Sequence, residues 1–186
     1  MNDNIKKNLN ANKMQWKNLI ICLAIPILIG VISRLISNNS KATFDALIKP
    51  RFSPPSIVFP IVWTILYILM GIASYIILSK NASKNIDKNS SEIKNINKIL
   101  EFENEKHIAL SLYGIQLLFN LFWTFWFFKL KLYLFAFIWL MILWLLVLAT
   151  IIKFSQISKL SSYLLIPYIL WISFAAYLNF GIVLLN

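Results

Sequence analysis

Long apolar runs separated by polar stretches dominate the chain, and from Ala109 to Asn186 no Asp or Glu interrupts the apolar sequence. All seven acidic residues (Asp3, Asp45, Asp87, Glu92, Glu101, Glu103 and Glu105) fall in the polar stretches. Crossing a hydrocarbon core of about 30 Å takes roughly 20 residues of helix. Runs of that length occur at residues 16–36, 57–78, 108–128, 132–152 and 160–185. The pattern predicts an all-α membrane protein, a bundle of five transmembrane helices.

The polar segments complete the outline. Residues 1–15 carry Lys6, Lys7 and Lys13 among asparagines and read as a disordered N-terminal tail before a membrane domain at 16–186. A basic start before an apolar run also fits a signal peptide. The length of the run, its Pro26 and the lack of a small-x-small cleavage site favour a first span instead. Pro60 falls in the first turn expected for the second span, where its missing N–H would be unpaired anyway. Residues 79–107 form a long Lys-, Asn- and Ser-rich loop, within which Ile93–Phe102 has the spacing of a short amphipathic helix. The turns after the third and fourth spans, one carrying Lys129 and Lys131 and the other Lys153 and Lys159, are short. The last three spans must then be antiparallel neighbours.

Composition agrees with this outline. Hydrophobic residues make up 59% of the chain, above the about 45–50% typical of soluble domains. The net charge of +11 would also suit nucleic acid, but no basic segment sits on a soluble module able to dock a duplex. The bilayer is the expected partner, and nucleic acid is not. Lys and Arg collect in loops that stay in the cytoplasm. A cytoplasmic N-terminus puts twelve lysines on that side (Lys6, Lys7, Lys13, Lys17, Lys80, Lys84, Lys88, Lys94, Lys98, Lys106, Lys153 and Lys159). The other side then holds Lys41, Lys49, Arg51, Lys129 and Lys131, or one cation more with Arg34. The expectation is a cytoplasmic N-terminus in a bacterial inner membrane, since no Arg-rich, acid-free presequence precedes the spans. Cys22 and His107 are the only residues of their kinds. An intramolecular disulfide, a zinc site and a His-based triad therefore cannot be assembled, and no metal or required cofactor is expected.

Polar side chains inside spans usually face other helices or a cavity. On the third span Tyr113, Gln116, Asn120 and Trp123 fall on one helical face, and on the second Trp63, Tyr67 and Met70 do so. On the fifth, Trp171, Ala175, Leu178 and Asn179 share a face. Interhelical packing, with Asn and Gln bonding across helices, accounts for such stripes. So does a cavity for a large, flat, mostly apolar ligand, stacked on tryptophan and oriented by an amide. The residues alone leave both open.

The stretch Phe44-Asp45-Ala46-Leu47-Ile48-Lys49-Pro50-Arg51-Phe52-Ser53-Pro54-Pro55 resembles the first-loop signature of the TspO/translocator protein family, also called peripheral-type benzodiazepine receptors. It continues in order through Phe59-Pro60-Ile61-Val62-Trp63-Thr64-Ile65-Leu66-Tyr67, Leu112-Tyr113-Gly114-Ile115-Gln116-Leu117-Leu118-Phe119-Asn120, Trp123 and Leu164-Leu165-Ile166-Pro167-Tyr168-Ile169-Leu170-Trp171 to Leu178-Asn179. The resemblance implies a five-helix bundle that binds porphyrins and related tetrapyrroles, in some members sterols, in a pocket capped by the first loop. It implies Lys49, Pro50, Pro54 and Pro55 as the loop motif. By position it implies Phe44, Trp63, Tyr67, Asn120, Trp123, Phe135, Trp171, Ala175, Leu178 and Asn179 as ligand-binding residues.

Departures from the family pattern matter too. Thr43-Phe44 stands where many relatives have Trp-Tyr, so the lid loses polar contacts, and Phe135 stands where vertebrate members have Trp. Arg51 could pair with a porphyrin carboxylate or remain a solvated loop cation. The expected function is tetrapyrrole sensing, transport or disposal with porphyrin as ligand. The alternative is enzyme-like, light-dependent porphyrin breakdown, for which Trp63 and Trp171 match the paired tryptophans credited in bacterial relatives. A homodimer stays open, although no Gly-x-x-x-Gly occurs in any span.

Overall fold

Apolar runs long enough to cross a bilayer have no stable alternative to helix there, because hydrocarbon offers no partner to a bare N–H or C=O. The computed structural model describes residues 3–37, 40–81 and 92–186, with side chains placed from residue 15 onward. Among these, five helical segments are long and apolar enough to span a membrane, and the protein is an integral membrane protein of all-α fold. The helices are α1 (Asp3–Ile36), α2 (Ser40–Ala46), α3 (Val58–Leu78), α4 (Glu92–Thr124), α5 (Tyr133–Ile157), α6 (Lys159–Leu164) and α7 (Ile166–Leu185). Alternation of direction leaves two ends. The lid end carries the α1–α3 connection and the C-terminus; the loop end carries the long polar segment after α3.

Several boundaries differ from the sequence pattern, each for a physical reason. Helix α1 begins at Asp3, so its backbone extends through most of the stretch read as a disordered tail, which contains neither Gly nor Pro. The amphipathic segment expected at Ile93–Phe102 and the third span are one continuous helix, α4, because no breaker separates them. A π-helical turn, Phe125–Lys129, extends α4. The Leu130 N–H reaches the Phe125 carbonyl and the Leu132 N–H the Trp126 carbonyl, each at 3.1 Å. Lys131, with φ 55°, supplies the left-handed residue that lets the chain reverse. Lys153 lies inside α5, which runs on to Ile157, and not in a loop. The fifth span is divided at Leu165, with Pro167 in the first turn of α7, where a missing N–H is tolerated.

Packing is closest between α1 and α3, where two glycines reciprocate. A Cβ on Gly71 would lie 2.9 Å from the Cys22 carbonyl oxygen and from the Leu23 Cα, so α1 backbone rests directly on α3. Pro26 has no N–H for that Cys22 carbonyl, the i−4 acceptor it would otherwise use. On α1, Gly30 makes room for the Tyr67 ring, which an added Cβ would strike. Small residues that let helices approach replace the hydrophobic drive that lipid cannot supply. The main core holds Met70, Ala73, Ile77, Leu117, Leu143, Val147, Tyr168 and Ile172, and a smaller cluster of Phe44, Phe127, Ala136 and Ile182 lies beneath the lid. At the loop end, Lys153 pairs with Glu105 at 2.7 Å, tying α5 to α4. Lys106 pairs with Glu103 at 2.6 Å and donates to the Lys80 carbonyl at 3.3 Å, just past the end of α3.

Candidate functional site

The stripes on α3, α4 and α7 converge. Tyr67 from α3 donates its hydroxyl to Asn120 Oδ1 at 3.1 Å, and Asn120 Nδ2 donates to the Tyr168 hydroxyl oxygen at 2.8 Å. Tyr168 in turn donates to Gln116 Oε1 at 2.9 Å. All four residues are buried. In a low-dielectric interior such a chain is favourable only when each member has a partner, and here donors and acceptors run in sequence across three helices. Trp63 covers the network, stacked on Tyr67 at 5.4 Å and edge-on to Tyr168 at 6.1 Å.

Toward the lid the character changes from paired polar groups to aromatic rings. Phe44 on α2 is buried edge-on against Phe59 at 5.0 Å, and Phe59 meets Trp171 at 5.8 Å. Trp123 stacks on Phe127 at 5.2 Å, an i,i+4 pair that bridges the two apolar clusters. Buried within this zone, the Trp171 indole N–H finds no acceptor among the described residues.

The lid is latched to one face of α7. Asn186 donates to the Ile48 carbonyl at 3.0 Å and accepts from the Ile48 N–H at 3.1 Å. Tyr177 donates its hydroxyl to the Arg51 carbonyl at 2.8 Å. Pro50 sits on Gly181, where a Cβ would approach its ring at 2.6 Å. Lys49 donates to the Asp45 carbonyl at 3.1 Å and lies 5.4 Å above the Phe44 ring. Pro55 accepts the Val58 N–H at 3.0 Å and so turns the chain into α3, next to a half-buried Pro54. Phe52 at the lid apex has φ 66°, unusual for a bulky residue, and is 85% exposed.

Most of the residues singled out from sequence therefore fall in two adjoining groups: Tyr67 and Asn120 in the network with Trp63 over it, and Phe44 and Trp171 in the aromatic zone under the lid, with Trp123 packed against both apolar clusters. Ala175, Leu178 and Asn179 are buried on the inward face of α7. Asn179 does not present its amide to an open space. In the orientation that satisfies it, it donates to the Tyr133 carbonyl at 3.0 Å and accepts from the Phe137 N–H at 3.1 Å. It is thus inserted between two groups that would bond each other in an uninterrupted helix.

Phe135 stands apart from the rest. It is 43% exposed and packs on Trp126 at 4.9 Å and Trp139 at 6.0 Å, on the outer side of α4 and α5. Its neighbour Ala136 takes the inward position, and one residue further along a helix turns a side chain about 100° away. Two members of the zone are absent from the sequence pattern as drawn above. Tyr168 lies one turn before Trp171 in the α7 stripe, and extending that stripe backwards would have found it. Phe59 joins Phe44 to Trp171, and nothing in the periodicity distinguishes it.

A hollow of about 170 Å³ lies at the loop end, between Gln15, Trp16, Leu19 and Tyr75. That is smaller than the roughly 300–1,000 Å³ of pockets that take drug-sized ligands.

A family model described as the TspO/MBR family matches residues 22–185. The chain is 33% identical over 173 residues to the tryptophan-rich protein TspO of Chlorobaculum tepidum, covering 92% of this chain and 98% of that one. It is 32% identical over 146 residues to protein CrtK of Rhodobacter capsulatus, covering 78% and 79% of the two chains. To the translocator protein of Homo sapiens it is 28% identical over 148 residues, covering 80% and 77%.

Proposed function

The chain belongs to the TspO/MBR family, and from that premise we propose that it binds a tetrapyrrole between α3, α4 and α7 beneath the first loop. The observation that carries this reading is Trp171. A buried N–H without an acceptor is costly, by about 1–3 kcal/mol, and natural interiors rarely tolerate one. Trp171 holds such a donor beside the rings of Phe59 and Phe174, with Phe44 one ring further on, and flat apolar faces of this kind suit a macrocycle. A ligand nitrogen or carboxyl oxygen would supply the missing acceptor. A macrocycle must enter past the rings that line the zone. The lid, a short helix and a loop held at its edge, is the element most easily lifted.

The role that follows is sensing, transport or disposal of tetrapyrroles in the membrane. One relative is itself named a tryptophan-rich sensory protein, from Cereibacter sphaeroides, 34% identical over 143 residues. The lysine distribution supports a loop end facing the cytoplasm and a lid end facing outward, in a bacterial inner membrane. Titration of the detergent-solubilised protein with protoporphyrin, followed by Soret absorbance and tryptophan quenching, tests the binding reading. Saturable binding at one site per chain is the expected result, and unsaturable partitioning equal to that of empty micelles would overturn it.

Light-dependent porphyrin breakdown is a second reading, supported by the contact of Trp63 with two phenols that are both hydrogen-bonded. An indole is far more easily oxidised than a benzene ring, so Trp63→Phe separates the readings. Light-dependent loss of porphyrin absorbance that survives the substitution at full rate, with binding intact, removes the catalytic role.

A further inference from the structure

Gly71 lets the backbones of α1 and α3 touch, at Cys22 and Leu23. One turn nearer the loop end, Tyr75 takes the place of Gly71 on the same face of α3, and Gln15, Trp16 and Leu19 oppose it from α1. Backbone contact gives way there to long side chains, and between them lies the hollow of about 170 Å³. It belongs neither to the hydrogen-bonded network nor to the zone beneath the lid. With each water taking about 30 Å³, it has room for one small polar group and not for a macrocycle.

Its lining is rich in donors. Gln15 brings an amide, Trp16 an indole N–H and Tyr75 a phenol, and none of these side chains has a hydrogen-bond partner among the described residues. The amide offers two donor hydrogens and the indole and phenol one each, which is the chemistry of an anion site. The electrostatics have the matching sign. Lys17 follows Trp16, Lys80 stands just past the end of α3, and both are exposed. Helix α1 carries no acid after Asp3 and α3 carries none. On α4, Glu103 and Glu105 are already paired with Lys106 and Lys153. Position then fixes the source of the anion. Gln15 opens the span Gln15–Ile36, and Tyr75 lies within a turn of the end of the span Val58–Leu78. The hollow therefore stands where headgroups meet hydrocarbon. Trp16, 66% exposed, is a residue type that settles at that level, and Ile20, 63% exposed one turn deeper, faces acyl chains.

We propose that the hollow binds the phosphate of an anionic phospholipid in the leaflet at the loop end. Gln15, Trp16 and Tyr75 donate to its oxygens, and Lys17 and Lys80 provide the field that favours a net negative headgroup. A zwitterionic headgroup offers the same phosphate but adds a cation beside two lysines, so it is the weaker ligand. The bound lipid bridges α1 and α3 at the end of the bundle opposite the lid.

Native mass spectrometry of the full chain in detergent tests the site, with palmitoyl-oleoyl-phosphatidylglycerol as the probe and palmitoyl-oleoyl-phosphatidylcholine as its zwitterionic counterpart. One phosphatidylglycerol per chain should be retained, about tenfold more tightly than phosphatidylcholine. Tyr75→Phe removes only a hydroxyl, and Gln15→Leu only an amide on an exposed residue. Each should weaken phosphatidylglycerol roughly three- to tenfold, whereas Lys129→Gln at the lid end should leave it unchanged. Equal retention of the two lipids would overturn the proposal, as would binding indifferent to both Tyr75→Phe and Gln15→Leu. So would loss of phosphatidylglycerol to millimolar inorganic phosphate, which would assign the hollow to a free anion.

Discussion

Two zones of the bundle lie within a few turns of one another and are built on opposite principles. In the network of Tyr67, Asn120, Tyr168 and Gln116, each hydroxyl and each side-chain amide takes part in a hydrogen bond within the protein. In the zone under the lid, aromatic rings meet edge to face and an indole N–H is left unpaired. A polar group already engaged by a neighbour contributes to stability and specificity of packing. One left unpaired in a buried place is available to something the chain does not contain. The same residue types thus serve different ends, and hydrogen-bond accounting separates them better than residue identity does.

Asn120→Leu should give the largest effect and should act on stability. It removes two interhelical bonds and leaves the Tyr67 and Tyr168 hydroxyls seeking partners, for a loss of about 2–4 kcal/mol. Thermal unfolding in detergent should move down by several degrees, while porphyrin affinity of the folded fraction should stay within about threefold. An intact melting temperature with a collapse of affinity would reverse the assignment of the two zones.

Gly71→Ala and Gly181→Ala make the same chemical change in the two regions. At Gly71 the added methyl meets α1 backbone at 2.9 Å, which can yield only by separating the helices. A cost of about 1–3 kcal/mol is expected, as for overpacked cores. At Gly181 it meets Pro50, part of a loop that can lift. Stability should change less there, and amide exchange at Ile48 should quicken. Equal losses of stability would mean that the lid is as rigid as the bundle.

Trp171→Phe should do the reverse of Asn120→Leu. The substitution removes an unpaired donor and keeps a ring, so the melting temperature should hold or rise slightly. Porphyrin affinity should fall by the value of one hydrogen bond, about 0.5–1.5 kcal/mol, or roughly two- to tenfold. A drop in stability without loss of affinity would show that the indole N–H serves the fold.

Much of this architecture is legible in the amino-acid sequence. The five spans follow from apolar length alone, and the 3.6-residue spacing places Trp63, Tyr67, Gln116, Asn120 and Trp171 on facing stripes. Pairing is not legible. Periodicity says that Asn120 and Asn179 point inward, but Asn120 meets two tyrosines and Asn179 enters the backbone ladder of α5. Neither partner lies on the same helix. Phe135 falls outside the zone for a related reason, since a family position fixes a place in the sequence and a single step along α5 decides which side of the helix it faces. The charged stretch before Ile108 reads as a separate loop because its charges end at the membrane, whereas the helix itself does not.

The smallest effect belongs to the latch. Asn186 bonds Ile48 twice in an exposed place, where water can replace either partner, and its Nδ2 also donates to the Ile182 carbonyl at 3.1 Å. Asn186→Ala should therefore cost no more than about 1 kcal/mol of stability. Its consequence should be kinetic, because the lid must leave α7 before a macrocycle can reach Trp171. Two bonds fewer to the lid should raise the rates of porphyrin entry and exit together by a few-fold, leaving the equilibrium constant nearly unchanged. Stopped-flow quenching of tryptophan fluorescence measures both rates. If only the exit rate rises, the lid contacts the bound ligand and acts as part of the site. If neither rate moves, the ligand enters between helices from the bilayer, and the latch only fastens the chain end.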